Sequence, residues 1–316
     1  MPTRQRSEQR DRPSGTSALA WAGVIVFLLI LLAGVLVYIF TRPPQSTPGN
    51  PSVSTQNAPA PPVVIVSPHM LLGNPSQATA DPSNKNNFLM VKPYFCLGYN
   101  NSKGTPNWVS WRLTAADLGT APRKQTFDPD DSLPAGYYRV EHRDYVRCGF
   151  DRGHMCPHSD RGANQEMAFA TFVLTNIIPQ APNVNRKAWE RLEAYGRDLA
   201  LQHNHLYIVS GPAGQGGVGT DGPASTIAGG RIVVPAECWK VIVVVPEGAT
   251  DDLAAINAGT RVIAVIMPNT QDVGEDWRPF LTTIAAVEQH TGLHLLTNLS
   301  GEMAETLRQK LDTGWR

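Results

Sequence analysis

Cys148-Gly149-Phe150-Asp151-Arg152-Gly153-His154-Met155-Cys156-Pro157-His158-Ser159-Asp160 is the stretch on which the reading of this 316-residue chain turns. Glycine, proline and serine frame a short polar cluster that offers a base, a guanidinium and a flexible backbone together. Histidine titrates near neutral pH, so it can take a proton from water. The planar fork of arginine can give a phosphate two parallel hydrogen bonds. Taken alone, the run is equally compatible with a structural histidine in a turn.

The next informative stretch is Leu174-Thr175-Asn176-Ile177-Ile178-Pro179-Gln180-Ala181-Pro182-Asn183-Val184-Asn185-Arg186-Lys187-Ala188-Trp189-Glu190-Arg191-Leu192-Glu193. Pro179 and Pro182 punctuate a loop. A helix over about 185–203 follows, opening at Asn183 to Asn185, where asparagine is a favoured cap. Asn185, Trp189, Glu193 and Arg197 fall at successive i, i+4 positions and share one flank. Ala188, Leu192, Tyr195 and Leu199 make the other flank, which is expected to face the core. The plain alternative is an amphipathic helix with a capping Asn and a surface charge pair.

Outward from these stretches, Phe88–Tyr99 and the alternating Trp108–Leu113 read as strands. Leu206–Val209, Arg231–Val234, Trp239–Val245 and Val262–Met267 read as buried strands. Further helical patterns cover about 277–290 and 301–312. Strands and helices mix without a regular βαβ beat. That predicts an α+β fold with a central antiparallel sheet flanked by helices.

Upstream, residues 17–40, SALAWAGVIVFLLILLAGVLVYIF, carry no charge. A bilayer needs about 20 apolar residues, and one helix satisfies its own backbone there. The run exceeds the usual core of a cleaved signal peptide, and no clear Ala-x-Ala site follows it. It is expected to be a retained transmembrane helix. Arg4, Arg6, Arg10 and Arg12 precede it and only Arg42 follows closely, so residues 1–16 are expected in the cytoplasm and the rest outside. A cleaved signal sequence is the competing reading. Residues 41–84, rich in Pro, Ser, Asn, Thr and Gln, are expected to be a linker, and 85–316 the folded domain.

The formal net charge is zero, from 27 basic and 27 acidic residues. Residues 1–84 hold five arginines against Glu8, Asp11 and Asp81, so the remainder is slightly acidic. A protein that held nucleic acid by global attraction would be basic. Any chemistry on nucleic acid must therefore rest on a local site. Cys96, Cys148, Cys156 and Cys238 form no CxxC pair, and their disulfide connectivity stays open.

Together the two stretches resemble the DNA/RNA non-specific endonuclease family, the ββα-metal nucleases. The likeness is carried by Phe150-Asp151-Arg152-Gly153-His154-Met155, by Thr175-Asn176 with Pro179-Gln180, and by Asn185 and Trp189 with Leu192-Glu193. Weaker matches run over about 90–300, among them Tyr99-Asn100, Arg123, Tyr145, Val234-Pro235 with Trp239-Lys240, and Pro268-Asn269. The resemblance implies an endonuclease that hydrolyses DNA and RNA with little regard to sugar or sequence and leaves 5′-phosphates. It implies His154 as general base and Asn185 as the protein ligand of one divalent metal, Mg2+, with Mn2+ or another divalent cation as substitutes. Glu193 would orient water at that metal. Arg123, Arg152 and Arg197 would contact phosphate or stabilise charge, and Asn176 would support the site.

Cys156 and His158 depart from the family pattern, which carries small residues there. With Cys148 and His154 they also admit a zinc cluster. A non-catalytic, membrane-tethered nucleic-acid-binding module and a metal-dependent phosphodiesterase of narrower specificity are the competing functions. A module that only bound would not need the base. Sequence leaves open whether two copies form a homodimer and whether an inhibitor protein acts on the chain.

Overall fold

A computed structural model describes residues 67–314. The expected tail at 1–16 and membrane span at 17–40 lie outside those residues, as does most of the expected linker. Among the described residues no helix is long and apolar enough to cross a membrane.

Thirteen strands are present among the described residues: β1 (Phe88–Val91), β2 (Cys96–Asn100), β3 (Thr105–Leu113), β4 (Asp151–His154), β5 (Ile177–Gln180), β6 (Asn204–Ala213), β7 (Gly217–Gly219), β8 (Gly222–Ala224), β9 (Thr226–Ile227), β10 (Ile232–Val233), β11 (Glu237–Pro246), β12 (Arg261–Pro268) and β13 (Leu281–Thr282). The helices are α1 (Gln165–Ala170), α2 (Trp189–Leu201), α3 (Asp252–Ala255), α4 (Ile284–Thr291) and α5 (Gly301–Arg308). Seven strands make the main sheet in the order β1-β2-β3-β6-β11-β12-β13, every pair antiparallel.

Both faces of this sheet are covered, which explains its sequence. Along β11, Cys238, Lys240, Ile242 and Val244 point to one side, while Trp239, Val241, Val243 and Val245 point to the other. A strand buried on both faces reads as an unbroken apolar run rather than an alternation. The first face meets α2, Met155, Cys156 and Ile178. The distal face meets residues of α4 and α5 with Met70, Leu71 and Leu72. Trp108, Trp111, Trp189 and Trp239 are fully buried between these layers. Truncating any one of them to alanine would cost about 3–5 kcal/mol.

Three expectations change. Phe88–Tyr99 is a hairpin, not one strand: Pro93 starts a turn, and the Lys92 amide donates to the Phe95 carbonyl at 3.0 Å. Only Ile232–Val233 of the expected strand 231–234 is extended, paired with β9 outside the main sheet, because Gly229 and Gly230 turn the chain just before it. The helix expected over 277–290 starts at Ile284, where the Thr283 hydroxyl caps it by accepting from the Ala286 amide.

The folded unit also begins no later than Ser67, upstream of residue 85. Ser67 caps a 3-10 turn with Pro68 in its first turn. Met70, Leu71, Leu72 and Ala78 are buried in the distal core. The Trp108 indole donates to the Ser76 hydroxyl at 2.7 Å. Average composition hid this segment. A few apolar side chains suffice when the sheet supplies the other half of the core.

Candidate active site

The Asp151–His154 run is a strand. β4 pairs antiparallel with β5, matching Asp151 with Gln180, Arg152 with Pro179, Gly153 with Ile178 and His154 with Ile177. The turn and loop expected here are thus a two-stranded ribbon, followed directly by α2, which gives the ββα arrangement. Pro179 is tolerated because the ribbon stands apart from the main sheet and each of its strands is an edge. Alternation puts Arg152 and His154 on one face and Asp151 and Gly153 on the other. A Cβ on Gly153 would lie 2.3 Å from the Gln180 Oε1 and 2.5 Å from its Cβ, so only glycine fits there.

His154 packs between Phe127 and Phe172, with ring centroids 5.2 Å and 4.9 Å away. Only 8% of the residue is exposed. Burial first, then the charges of Arg123 and His158, push its pKa down to about 3. The imidazole is therefore neutral at physiological pH, which is the form that accepts a proton. Its Nε2 is buried and has no hydrogen-bond partner among the described residues. Arg152, two residues back on the same face, gives Nη2 to the His142 carbonyl at 2.8 Å and stacks its guanidinium on Phe127 and Tyr145, each 5.7 Å away. Its Nε is likewise buried without a partner. An orphaned buried polar atom costs about 1–3 kcal/mol. Two on one face of one strand mark a place built to meet a polar ligand. Arg123 is exposed beside them, 5.3 Å from the Phe172 ring.

Asn185 reaches the same ribbon from its other end. Its Nδ2 donates to Asp151 Oδ2 at 2.8 Å. Arg186 clamps the same carboxylate with two bonds, of 2.8 and 2.6 Å. Nothing among the described residues donates to the Asn185 Oδ1, so Asp151 fixes the amide with its oxygen free. One neutral oxygen ligand fits a hard cation that keeps most of its water. Asp151 was not among the expected site residues, although its place at the head of the Asp-Arg-Gly-His run was a signal. Asp151→Asn is expected to raise the divalent-ion concentration for half-maximal activity about tenfold, the usual range for a group that orients a ligand. An unchanged ion titration would remove Asp151 from that role.

A π-helical turn, Val184–Ala188, precedes α2, and the Trp189 amide donates to the Val184 carbonyl. The extra residue resets the register, so the expected flank does not run straight from Asn185 to Arg197. Nor is that flank a solvent face. Trp189 is buried, with Lys240 Nζ 4.3 Å from its ring centroid. Glu193, its side chain 10% exposed, accepts from Lys240 Nζ at 3.1 Å. Burial outweighs that ammonium and pushes the Glu193 carboxyl up to about 7. Arg197 pairs with the buried Asp160 at 3.2 Å, and Asp160 also accepts from the Trp111 indole at 3.0 Å. The structure thus places Arg197 in an interior ion network. Lys240, which the sequence showed only as part of the matching Trp239-Lys240 pair, is the other residue whose place at the site was not expected, because it sits inside a strand of valines.

Asn176 is fully buried. Its Oδ1 accepts from the Cys156 amide at 3.0 Å, and its Nδ2 donates to the Cys156 and Thr171 carbonyls at 2.8 and 2.9 Å. It fixes the chain immediately after His154. All four cysteines are free, and no group of three or more His, Cys, Asp or Glu among the described residues could hold a metal. The zinc cluster is therefore set aside. Cys156 is buried and its thiol is pushed up to about 12, while the His158 Nε2 lies 3.2 Å from the Ala121 carbonyl.

The family model for DNA/RNA non-specific endonucleases matches residues 72–302. A protein named Nuclease from Nostoc sp. is 42% identical over 256 residues, 80% of this chain and 90% of that one. Mitochondrial endonuclease G of Homo sapiens is 30% identical over 218 residues, 67% of this chain and 70% of that one. Among solved structures, a chain from a crystal structure of the EndoG/EndoGI complex matches with a TM-score of 0.59 and 26% identity, covering 74% of this chain and 92% of that chain. The antiparallel sheet and its few helices are thus an endonuclease G-like fold. With a match of that length, and with relatives named as nucleases, the chain belongs to the DNA/RNA non-specific endonuclease family and is a nuclease, a hydrolase acting on nucleic acids.

Proposed function

We propose that this nuclease cuts both DNA and RNA internally, with His154 as general base and one hydrated divalent cation, Mg2+, at Asn185, leaving 5′-phosphate ends. The observation that carries this reading is the pairing on one ribbon. A neutral, buried imidazole with an unpartnered Nε2 sits on the strand whose first residue, Asp151, fixes the free amide oxygen of Asn185.

His154 takes the proton of the attacking water as its oxygen closes on phosphorus. The Phe127 and Phe172 rings hold the imidazole and limit its hydration. Arg152, braced by the His142 carbonyl, offers its remaining donors to the phosphate. Arg123 adds a second positive charge on the solvent side. The cation, when bound, supplies Lewis-acid charge at the leaving 3′-oxygen. Contacts confined to phosphate carry no sequence information, which accounts for broad specificity.

The test is incubation of the full chain with supercoiled plasmid and with RNA, in Mg2+ or in EDTA. Degradation of both substrates that vanishes in EDTA supports the reading. Cleavage of one substrate alone would narrow it, and cleavage that survives EDTA would sink it.

Residues 17–40 support a further part of the proposal, a single-pass anchor with the N-terminus inside and the nuclease outside the cytoplasm. Protease added to intact cells should remove the domain. Full protection would overturn that topology.

A further inference from the structure

A cleft opens on the segment that braces Arg152. It has a volume of about 460 Å3 and is lined by Arg143, Val146, Arg147, Cys148, Ile227 and Ala228, with Asp144 at its edge. That volume lies within the ~300–1,000 Å3 typical of small-ligand sites. Its floor belongs to a small core of Tyr145, Phe150, Ile177 and Ile227, and Ile177 is the β5 partner of His154. Its wall is the 142–148 segment, whose His142 carbonyl and Tyr145 ring hold Arg152. Cleft and catalytic arginine are thus two sides of one short segment.

The cationic groups in the cleft are available. Among the described residues no hydrogen bond or ion pair engages Arg147. Arg143 is 79% exposed and pairs only with Glu141, at 2.8 Å, on the surface. Such an exposed pair is weak and exchanges readily for another anion. Asp144 also lines the cleft, with its Oδ2 held by the Tyr138 hydroxyl and the Glu141 amide. Val146, 54% exposed, is one of the few exposed large hydrophobic side chains among the described residues.

The backbone here is also unusual. Arg147 has φ +55°, and Ala228 across the cleft has φ +54°, followed by Gly229 and Gly230 at +66° and +90°. L-residues rarely adopt this conformation, and where they do the site is commonly functional. Two left-handed turns thus line an open cleft that carries Arg143 and Arg147.

We propose that this cleft binds the substrate strand beside the cut, with phosphates on Arg143 and Arg147 and a base or sugar against Val146. The proposal rests on the nuclease reading and assigns it a second contact point. Arg147 lies five residues from Arg152, at most about 18 Å along the chain. A strand of 20 nucleotides, at ~3.4 Å or more for each phosphate, is long enough to reach both.

The experiment compares the full chain with Arg143→Ala/Arg147→Gly. Glycine at 147 removes the guanidinium and favours the left-handed backbone, so the loop keeps its shape. Binding of a fluorescent 20-nucleotide single strand is followed by anisotropy in EDTA, across a salt series. The double variant is expected to bind the 20-mer about tenfold more weakly, the loss appropriate to charge-assisted contacts. Its log K against log salt slope should flatten by about 1.4, for two lost phosphate contacts. Arg143→Lys/Arg147→Lys should restore most of the 20-mer binding and all of the salt slope, which a merely structural role would not do.

An unchanged affinity for the 20-mer, or an unchanged salt slope, would overturn the cleft. Failure of the nuclease reading shows separately, as absence of any cleavage when Mg2+ is added to the unmodified chain.

Discussion

His154→Ala is expected to lower kcat on plasmid DNA by about 10²–10⁴-fold, the range for removal of a general base. The fold should survive, because the side chain makes only ring contacts with Phe127 and Phe172. A second readout separates a catalytic base from a packing residue. The folded-state pKa of His154 is about 3, against an ordinary 6.5. Between those values the unfolded chain binds a proton that the folded chain refuses, so stability falls as pH drops through 6.5 toward 3. The slope is about 1.4 kcal/mol per pH unit for such a group. His69, whose pKa burial brings down to about 4, acts in the same direction. His154→Ala should therefore lose activity while its Tm falls less steeply between pH 6.5 and 4 than that of the unmodified chain. Full activity in the variant would refute the assignment, and an unaltered pH slope would show the imidazole to be better hydrated than the structure has it.

The largest stability effect is expected at Lys240. Its ammonium is 1% exposed, 3.1 Å from Glu193 and stacked on Trp189. Lys240→Met leaves a buried carboxylate without its cation, a loss of about 3–5 kcal/mol. The pH dependence identifies the cause. Glu193 has a folded pKa of about 7, above its ordinary 4.5. Its neutral form is favoured by burial, so the associated stability is present below 4.5 and is lost as pH rises through 7. Lys240→Met deepens that loss, and the gap from the unmodified chain should be larger at pH 8 than at pH 5. Adding Glu193→Leu should recover most of the stability, since a well-packed apolar pair can replace a buried ion pair. Denaturant midpoints at the two pH values measure this. A pH-independent cost would mean that lost packing, not the orphaned carboxylate, is responsible.

The same elements explain what could be read from the sequence. β11 and β12 were legible because both faces of the sheet are covered, and their apolar runs have no other use. The chemistry of the Asp151–His154 run was legible because its residue types and its spacing to Asn185 and Glu193 are distinctive. Its strand conformation was not, because Gly153 is needed for close approach by Gln180 and Pro179 sits in the paired strand. Both residues signal turns in local terms, and a long-range contact overrides them. The π-helical turn at Val184–Ala188 is equally invisible to an i, i+4 pattern. That pattern assumed a regular helix with its polar flank in water. In the structure Glu193 and Arg197 point into an interior ion network, completed by Lys240 and Asp160 from distant parts of the chain. Asp151 escaped for a related reason: its role exists only once the ribbon brings it to Asn185. Residues 67–78 escaped because their four buried apolar side chains are diluted by proline, serine and asparagine.

The central claim is that a cation held by the Asn185 amide oxygen works with the His154 base. Titrating the nuclease activity of Asn185→Ala with Mg2+, alongside the unmodified chain and His154→Ala, tests it most directly. The account predicts that Asn185→Ala moves the half-activating Mg2+ concentration up by at least about tenfold. It predicts that His154→Ala lowers the rate at every Mg2+ concentration without moving that midpoint. An Asn185→Ala titration that overlays the unmodified one would contradict it.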